Sequence, residues 1–209
     1  MKKQTELVFV LDRSGSMEGL EKDTIGGFNS TLEKQKKEQG EAFVTTVLFD
    51  HKYELLYQSE DIQDVQPLTE KEYYVRGMTA LLDAIGMTIS KISERQKSLE
   101  SKRDVLFVIM TDGMENSSKK YNIQQIKQSI EQKRAEKEWQ FLFLGANIDA
   151  IAEANKFGIA EDFAVNFHAD HVGMEKNFET IHEVATHFRS GVRLDASWKE
   201  HIEKDFQER

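Results

Sequence analysis

The sequence predicts an α/β protein: a doubly wound, Rossmann-like three-layer sandwich built on a mainly parallel sheet with one antiparallel edge strand. Three observations predict it. Residues 7–11, 105–110 and 141–144 are short, unbroken apolar runs, the pattern of parallel strands covered on both faces. Segments with apolar residues at helical spacing separate them. Residues 43–49 and 53–57 flank the polar connection Asp50, His51 and Lys52, which reads as a hairpin and places one antiparallel strand at an edge.

Taken in order, the first apolar strand runs straight into Asp12, and Ile25, Phe28 and Leu32 mark the helix after it. The hairpin follows. Leu82, Ile85, Ile89 and Ile92 then define a second helix, residues 105–110 a second central strand, and Ile123, Ile126 and Ile130 a third helix with Asn122 as its N-cap. Residues 141–144 form the third central strand. After Gly145 the pattern predicts a short helix ending near Gly158, a weak strand over 163–167, and a helix carrying Met174, Phe178, Ile181, Ala185 and Phe188 on one face, with Asp170 as its N-cap. Trp198, Ile202 and Phe206 form a last amphipathic stripe, expected to pack on the rest, with a partner helix as the alternative.

One domain is expected over residues 1–209, with a core of about 5–170 and C-terminal helices over about 171–209. A single proline and the absence of any Gly/Ser tract argue against a flexible linker. The formal net charge of −9 speaks against a nucleic-acid partner, because such binding depends on lysine and arginine neutralising phosphates. With no cysteine, thiolate catalysis and cysteine-ligated metals are excluded, so any metal must use oxygen or imidazole. Residues 1–6 carry no apolar signal region, and no apolar run approaches the roughly 20 residues that span a bilayer. The expectation is therefore a cytoplasmic location without a membrane partner.

In doubly wound sheets, ligands bind beyond the carboxyl ends of the strands. Asp12, Ser14 and Ser16 stand where the first strand ends, Thr111, Asp112 and Gly113 where the second central strand ends, and Thr79 follows Gly77 at the start of a helix. Three loops thus converge on one edge. Two carboxylates there would repel each other and require a positive partner. Arg13 lies between two alternating positions and should point away from Asp12 and the serines. A hard divalent cation suits a set made only of carboxylate and hydroxyl oxygens, Mg²⁺ best of all, with Mn²⁺ and Ca²⁺ as alternatives. If the hydroxyls of Ser14, Ser16 and Thr79 bind directly while one or both aspartates act through water, such an ion keeps much of its positive charge and takes a further anionic ligand.

The loop "DRSGS" directly after an apolar strand, with Thr79 and Asp112 in order behind it, resembles the metal-ion-dependent adhesion site of von Willebrand factor A domains, small stand-alone bacterial members in particular. The resemblance covers about residues 5–170 and shows no departure at the five positions. It implies a Rossmann-like sheet, a divalent cation held by Asp12, Ser14, Ser16, Thr79 and Asp112, a protein partner presenting Asp or Glu to that ion, and no catalysis by the domain itself. Thr111 and Gly113 are assigned to support of the ligands.

Each feature also has a plainer reading. Serines and an aspartate after a strand can simply close a turn, but three such loops on one edge outweigh it. His168, His171, His182 and His187, with Asp170 and Glu175, match no compact zinc spacing and read as boundary or surface positions. The charged run over 33–41 reads as the solvated end of a helix. Two other functions stay open: a metal-assisted phosphotransferase or phosphatase with Asp12 as nucleophile, which lacks the acid expected at position 14, and a scaffold whose metal only ties loops together.

Overall fold

The computed structural model describes residues 4–136 and 138–209. Six strands form one sheet: β1 (Thr5–Asp12), β2 (Ala42–Phe49), β3 (Tyr53–Asp61), β4 (Asp104–Thr111), β5 (Trp139–Ala146) and β6 (Ala164–Phe167). Their order is β3-β2-β1-β4-β5-β6, parallel throughout except for the antiparallel pairing of β3 with β2 at one edge. The helices are α1 (Glu21–Lys36), α2 (Leu81–Lys97), α3 (Ile123–Ala135), α4 (Ala150–Lys156), α5 (His171–Arg189) and α6 (Glu200–Glu208).

Alternation along β1 shows why three layers form. Leu7, Phe9 and Leu11 face Phe28 and Leu32 of α1, Phe178 and Ile181 of α5, and Ile202 of α6. Val8 and Val10 face the opposite core, which holds Ile85 and Ile89 of α2, Ile126 and Ile130 of α3, and Ala154 of α4. All eight residues of β1 are buried, as expected for a strand covered on both faces. The expected α/β sandwich with an antiparallel edge strand is the fold observed.

Several boundaries differ from the sequence reading. β3 runs on to Asp61, past the end of its apolar stretch. Polar pairing holds that end: a register shift surrounds Thr46, the Ser59 N–H donates to Thr45 Oγ1 at 2.9 Å, and Thr45 Oγ1 donates to the buried Glu6 carboxylate at 2.7 Å. Periodicity of apolar residues cannot register such a network. The weak strand begins at Ala164, because residues 161–163 form a single 3-10 turn.

The predicted caps are in place. Asn122 and Gln125 form a reciprocal capping box on α3, and Asp170 accepts from the Gly173 N–H at 2.8 Å at the start of α5. Most of the C-terminal stripe lies on the domain: Ile202 is buried, Trp198 Nε1 donates to the Asp162 carbonyl at 2.7 Å, and Phe206 stays exposed with its ring against His168. His182 is half-buried against Gln35, Nδ1 to Nε2 at 2.9 Å, and His187 is exposed.

Strand order reverses between β1 and β4. The crevice beyond their carboxyl ends is the topological switch point of the sheet.

Candidate metal centre

The register that pairs Leu11 with Met110 carries Asp12 up beside Thr111, whose hydroxyl donates to Asp12 Oδ2 at 2.6 Å. The other oxygen, Oδ1, accepts the Ser14 N–H at 2.7 Å. The chain then makes a 3-10 turn over Gly15–Met17, anchored by the fully buried Met17. That turn swings two hydroxyls together, Ser14 Oγ to Ser16 Oγ at 3.1 Å. Ser16 Oγ in turn donates to Asp112 Oδ1 at 2.6 Å, closing the gap between β1 and β4.

Thr79 enters from the long connection between β3 and α2. Its N–H donates to Asn116 Oδ1 at 2.9 Å, and its carbonyl accepts the Asn116 N–H at 3.0 Å. Asn116 therefore fixes the threonine from the loop that also carries Asp112. The N-terminus of α2 has no cap of its own; the same loop supplies one, with Glu115 accepting the Leu82 N–H at 2.9 Å and Ser118 Oγ accepting the Asp83 N–H at 3.0 Å.

Gly113 shows how closely the hydroxyls converge. A Cβ built there would lie 3.1 Å from Ser16 Oγ and 3.2 Å from Thr79 Oγ1, so only a residue without a side chain leaves that space open. All five predicted oxygen-bearing residues thus meet on one patch. Asp12, Ser14, Thr79 and Asp112 are buried while Ser16 is exposed, so the patch opens to solvent on the Ser16 side. Thr111 lies against Asp12 and Gly113 beside the Ser16 and Thr79 hydroxyls.

Electrostatically the patch has a deficit of positive charge. Burial pushes the Asp12 carboxyl up to about 6, against hydrogen bonds from Thr111 and Ser14 that pull it down; the charge of Asp112 adds to the rise. Burial also raises the Asp112 carboxyl, with the Ser16 hydrogen bond opposing. Asp112 Oδ2 is buried without a hydrogen-bond donor among the described residues.

Arg13 does not relieve this deficit. It is fully buried yet turned away, as expected, with Nε on Asp50 at 3.1 Å, Nη1 on the Glu72 carbonyl at 2.7 Å and Nη2 on Glu54 at 2.5 Å. Asp50 also accepts from Arg76 Nε at 2.7 Å, and its carbonyl takes the Ala80 N–H at 2.8 Å. Backbone links complete the lacing: the Arg76 N–H donates to the Arg13 carbonyl at 2.9 Å and the Gly15 N–H to the Gly77 carbonyl at 3.1 Å. Tyr73 donates its hydroxyl to the Asp12 carbonyl. The Ser14 loop and the Thr79 loop are thereby held in register from beneath.

Sequence reasoning missed Asp50, Arg76, Tyr73, Asn116 and Glu115. The one available signal was Arg13: an arginine forced inward by the alternation that turns the serines outward needs a buried acid to receive it.

A divalent hard cation fits this donor set. The ligands are oxygens only, two of them desolvated carboxylates, and one carboxylate oxygen is buried without a donor. Among the described residues no group of three or more His, Cys, Asp or Glu side chains could hold a metal, so a site here depends on the hydroxyls of Ser14, Ser16 and Thr79.

With fold and geometry established, comparison with known proteins identifies the architecture. The chain has the fold of von Willebrand factor A domains. It is similar to the von Willebrand factor domain of the type V pili tip protein Mfa5 from Porphyromonas gingivalis, with a TM-score of 0.64 and 12% identity over 93% of this chain and 98% of that one. It is similar to proximal thread matrix protein 1 of the mussel byssus, solved with a zinc-occupied MIDAS motif, with a TM-score of 0.59 and 15% identity over 88% of this chain and 46% of that one. The ArnB paralog VWA2 of Sulfolobus acidocaldarius gives 0.56 and 19% over 88% and 45%. The chain thus spans less than half the length of the byssus and archaeal chains it matches. No family model matches the chain, and no curated protein matches it by sequence.

Proposed function

We propose that this protein is a divalent-cation-dependent binding module that takes an Asp or Glu carboxylate of a partner protein, and that it is not an enzyme. The observation that carries this reading is Asp112 Oδ2, a buried carboxylate oxygen with no donor among the described residues, in the residue before Gly113, at which the Ser16 and Thr79 hydroxyls converge. Ser14, Ser16 and Thr79 would hold the ion by their hydroxyls, with Asp12 and Asp112 as its anionic partners directly or through water. Mg²⁺ fits best on ligand type, and Mn²⁺ or Ca²⁺ meets the same oxygens. When bound, the ion supplies a position open to an outside carboxylate.

This chain's own residues prepare that position. The Ser14 N–H and Thr111 hydroxyl hold Asp12 in one orientation, Asn116 fixes Thr79, and Ser16 tethers Asp112. The byssus protein's zinc-occupied site supports a divalent ion at this place in the fold. The phosphotransfer alternative finds no support: both oxygens of Asp12 are held by hydrogen bonds, and position 14, where a general acid belongs, is a serine that orients it.

Calorimetry with Mg²⁺ on the wild type and on Ser14→Ala, followed by NMR titration with N-acetyl-glutamate N-methylamide in Mg²⁺ and in EDTA, tests the proposal. Binding of the carboxylate probe only with metal, and its loss in Ser14→Ala, is expected. Binding that persists in EDTA, or turnover of phosphate esters lost in Asp12→Asn, overturns it.

A further inference from the structure

Seven large hydrophobic residues are exposed among those described, and three of them, Tyr74, Met78 and Met114, stand on the two loops that bring Thr79 and Asp112 to the site. Met78 follows Gly77, whose carbonyl accepts the Gly15 N–H at 3.1 Å beside Ser16, and Met114 follows Gly113, where an added Cβ would lie 3.1 Å from Ser16 Oγ and 3.2 Å from Thr79 Oγ1. The two methionines are 57% and 64% exposed. Tyr74 is committed, its hydroxyl taking a bond from Arg76 Nη1 at 2.8 Å and its ring lying under the Arg13 and Arg76 guanidiniums at 5.2 and 5.0 Å. Among the described residues nothing comparable ties down the methionines: the loop backbone beside them is pinned by Asn116 and by Gly15, while the methionines themselves are exposed.

Charge narrows the occupant. The chain carries a net charge of −9, so a strongly acidic partner is repelled at long range, and a single carboxylate is the most that a lone cation on this surface rewards. The remaining binding free energy must then come from apolar contact, and flexible, polarisable methionines adapt to varied apolar neighbours. A lone apolar residue on a surface means little; two, each next in the chain to a glycine that touches the Gly15–Ser16 turn where the patch opens, supply apolar contact beside one polar anchor.

Resting on the carboxylate-binding reading above, we propose that Met78 and Met114 form an apolar rim which selects a partner segment bearing one Asp or Glu flanked on both sides by large apolar side chains, rather than an acidic cluster.

The test uses the full chain with ¹³C-methyl methionine, Mg²⁺ in excess, and two synthetic peptides, acetyl-Ala-Leu-Glu-Leu-Ala-amide and acetyl-Ala-Ser-Glu-Ser-Ala-amide. The leucine peptide is expected to bind about tenfold tighter than the serine peptide and to shift the Met78 and Met114 methyl signals, assigned by single substitution. In the double variant Met78→Ser, Met114→Ser the preference should vanish while Mg²⁺ affinity stays unchanged. Exposed positions tolerate such changes, and unaltered Mg²⁺ binding verifies the fold. Equal, metal-dependent binding of the two peptides overturns the rim and leaves the carboxylate reading standing. A preference that survives in the double variant also overturns the rim. Leucine-peptide binding undiminished by EDTA, or no binding of either peptide to the Mg²⁺-loaded protein, overturns both.

Discussion

Ser16 donates its hydroxyl to Asp112 at 2.6 Å across 96 residues of sequence, and in doing so occupies one carboxylate oxygen while the other stays buried without a donor among the described residues. The contact joins the ends of two adjacent central strands. Asp12 and Asp112 stand there as two desolvated acids that raise each other's cost of ionisation, a cost that a bound cation would relieve.

Mg²⁺ should therefore stabilise the fold. At a concentration one hundred times its dissociation constant, a ligand of the native state adds about 2.7 kcal/mol, and for a chain of this size that raises Tm by roughly 5–10 °C. Asp112→Asn should melt at or above the ion-free wild type, since it removes a desolvated carboxylate, yet lose the Mg²⁺ shift. Differential scanning calorimetry with and without Mg²⁺ measures both; an intact shift in Asp112→Asn would exclude the aspartate from the site.

Gly113→Ala puts a methyl 3.1 and 3.2 Å from the Ser16 and Thr79 hydroxyls. Both hydroxyls must give way by a few tenths of an ångström. Because the patch opens to solvent beside Ser16, ion-free stability should change by less than about 1 kcal/mol, while Mg²⁺ affinity falls by about tenfold or more. Urea unfolding and Mg²⁺ calorimetry on the same sample separate the two effects.

Asp50→Ala strips the buried Arg13 guanidinium of one of its two carboxylate partners. Breaking a buried pair from one side costs about 3–5 kcal/mol; the lower end, about 3 kcal/mol, is expected because Arg13 keeps the Glu72 carbonyl and Glu54. The loops bearing Ser14 and Thr79 lose the carboxylate that joins Arg13 to Arg76 and keep only their backbone links, so Mg²⁺ affinity should fall as well. Urea denaturation gives the first quantity, and a cost under about 1 kcal/mol would show that the clamp contributes little.

The same residue makes a prediction about pH. Burial alone would raise the Asp50 carboxyl, but hydrogen bonds from Arg76 and the Lys52 N–H, with the charges of Arg76 and Arg13, outweigh it and hold the carboxyl below its ordinary value of 3.8. A depressed carboxyl contributes stability that is present above the unfolded value and is lost as pH falls through the folded one. The stability difference between wild type and Asp50→Asn should accordingly be constant from pH 5 to 7 and shrink below about pH 4. Urea midpoints across that range check the sign.

The sequence alone determined the fold and the five oxygen-bearing positions. Both rest on local, periodic signals: unbroken apolar runs can be satisfied only by strands covered on both faces, and a strand that ends in alternating oxygens declares the ligand edge of such a sheet. Asn122 and Asp170 were legible as caps for the same reason, since a cap acts on the next turn of its own helix.

Only the tertiary structure decided what holds those positions together. Arg13 could be read as turned from the serines, but not as bonded to Asp50 and Glu54; Asn116 gave no sign of clamping Thr79, nor Glu115 of capping α2, nor Ser59 of carrying β3 on past its apolar stretch. Each of these is a polar contact between segments distant in the chain, chosen by whichever buried donor or acceptor lacks a local partner. Which groups those are is fixed only once the sheet has been assembled.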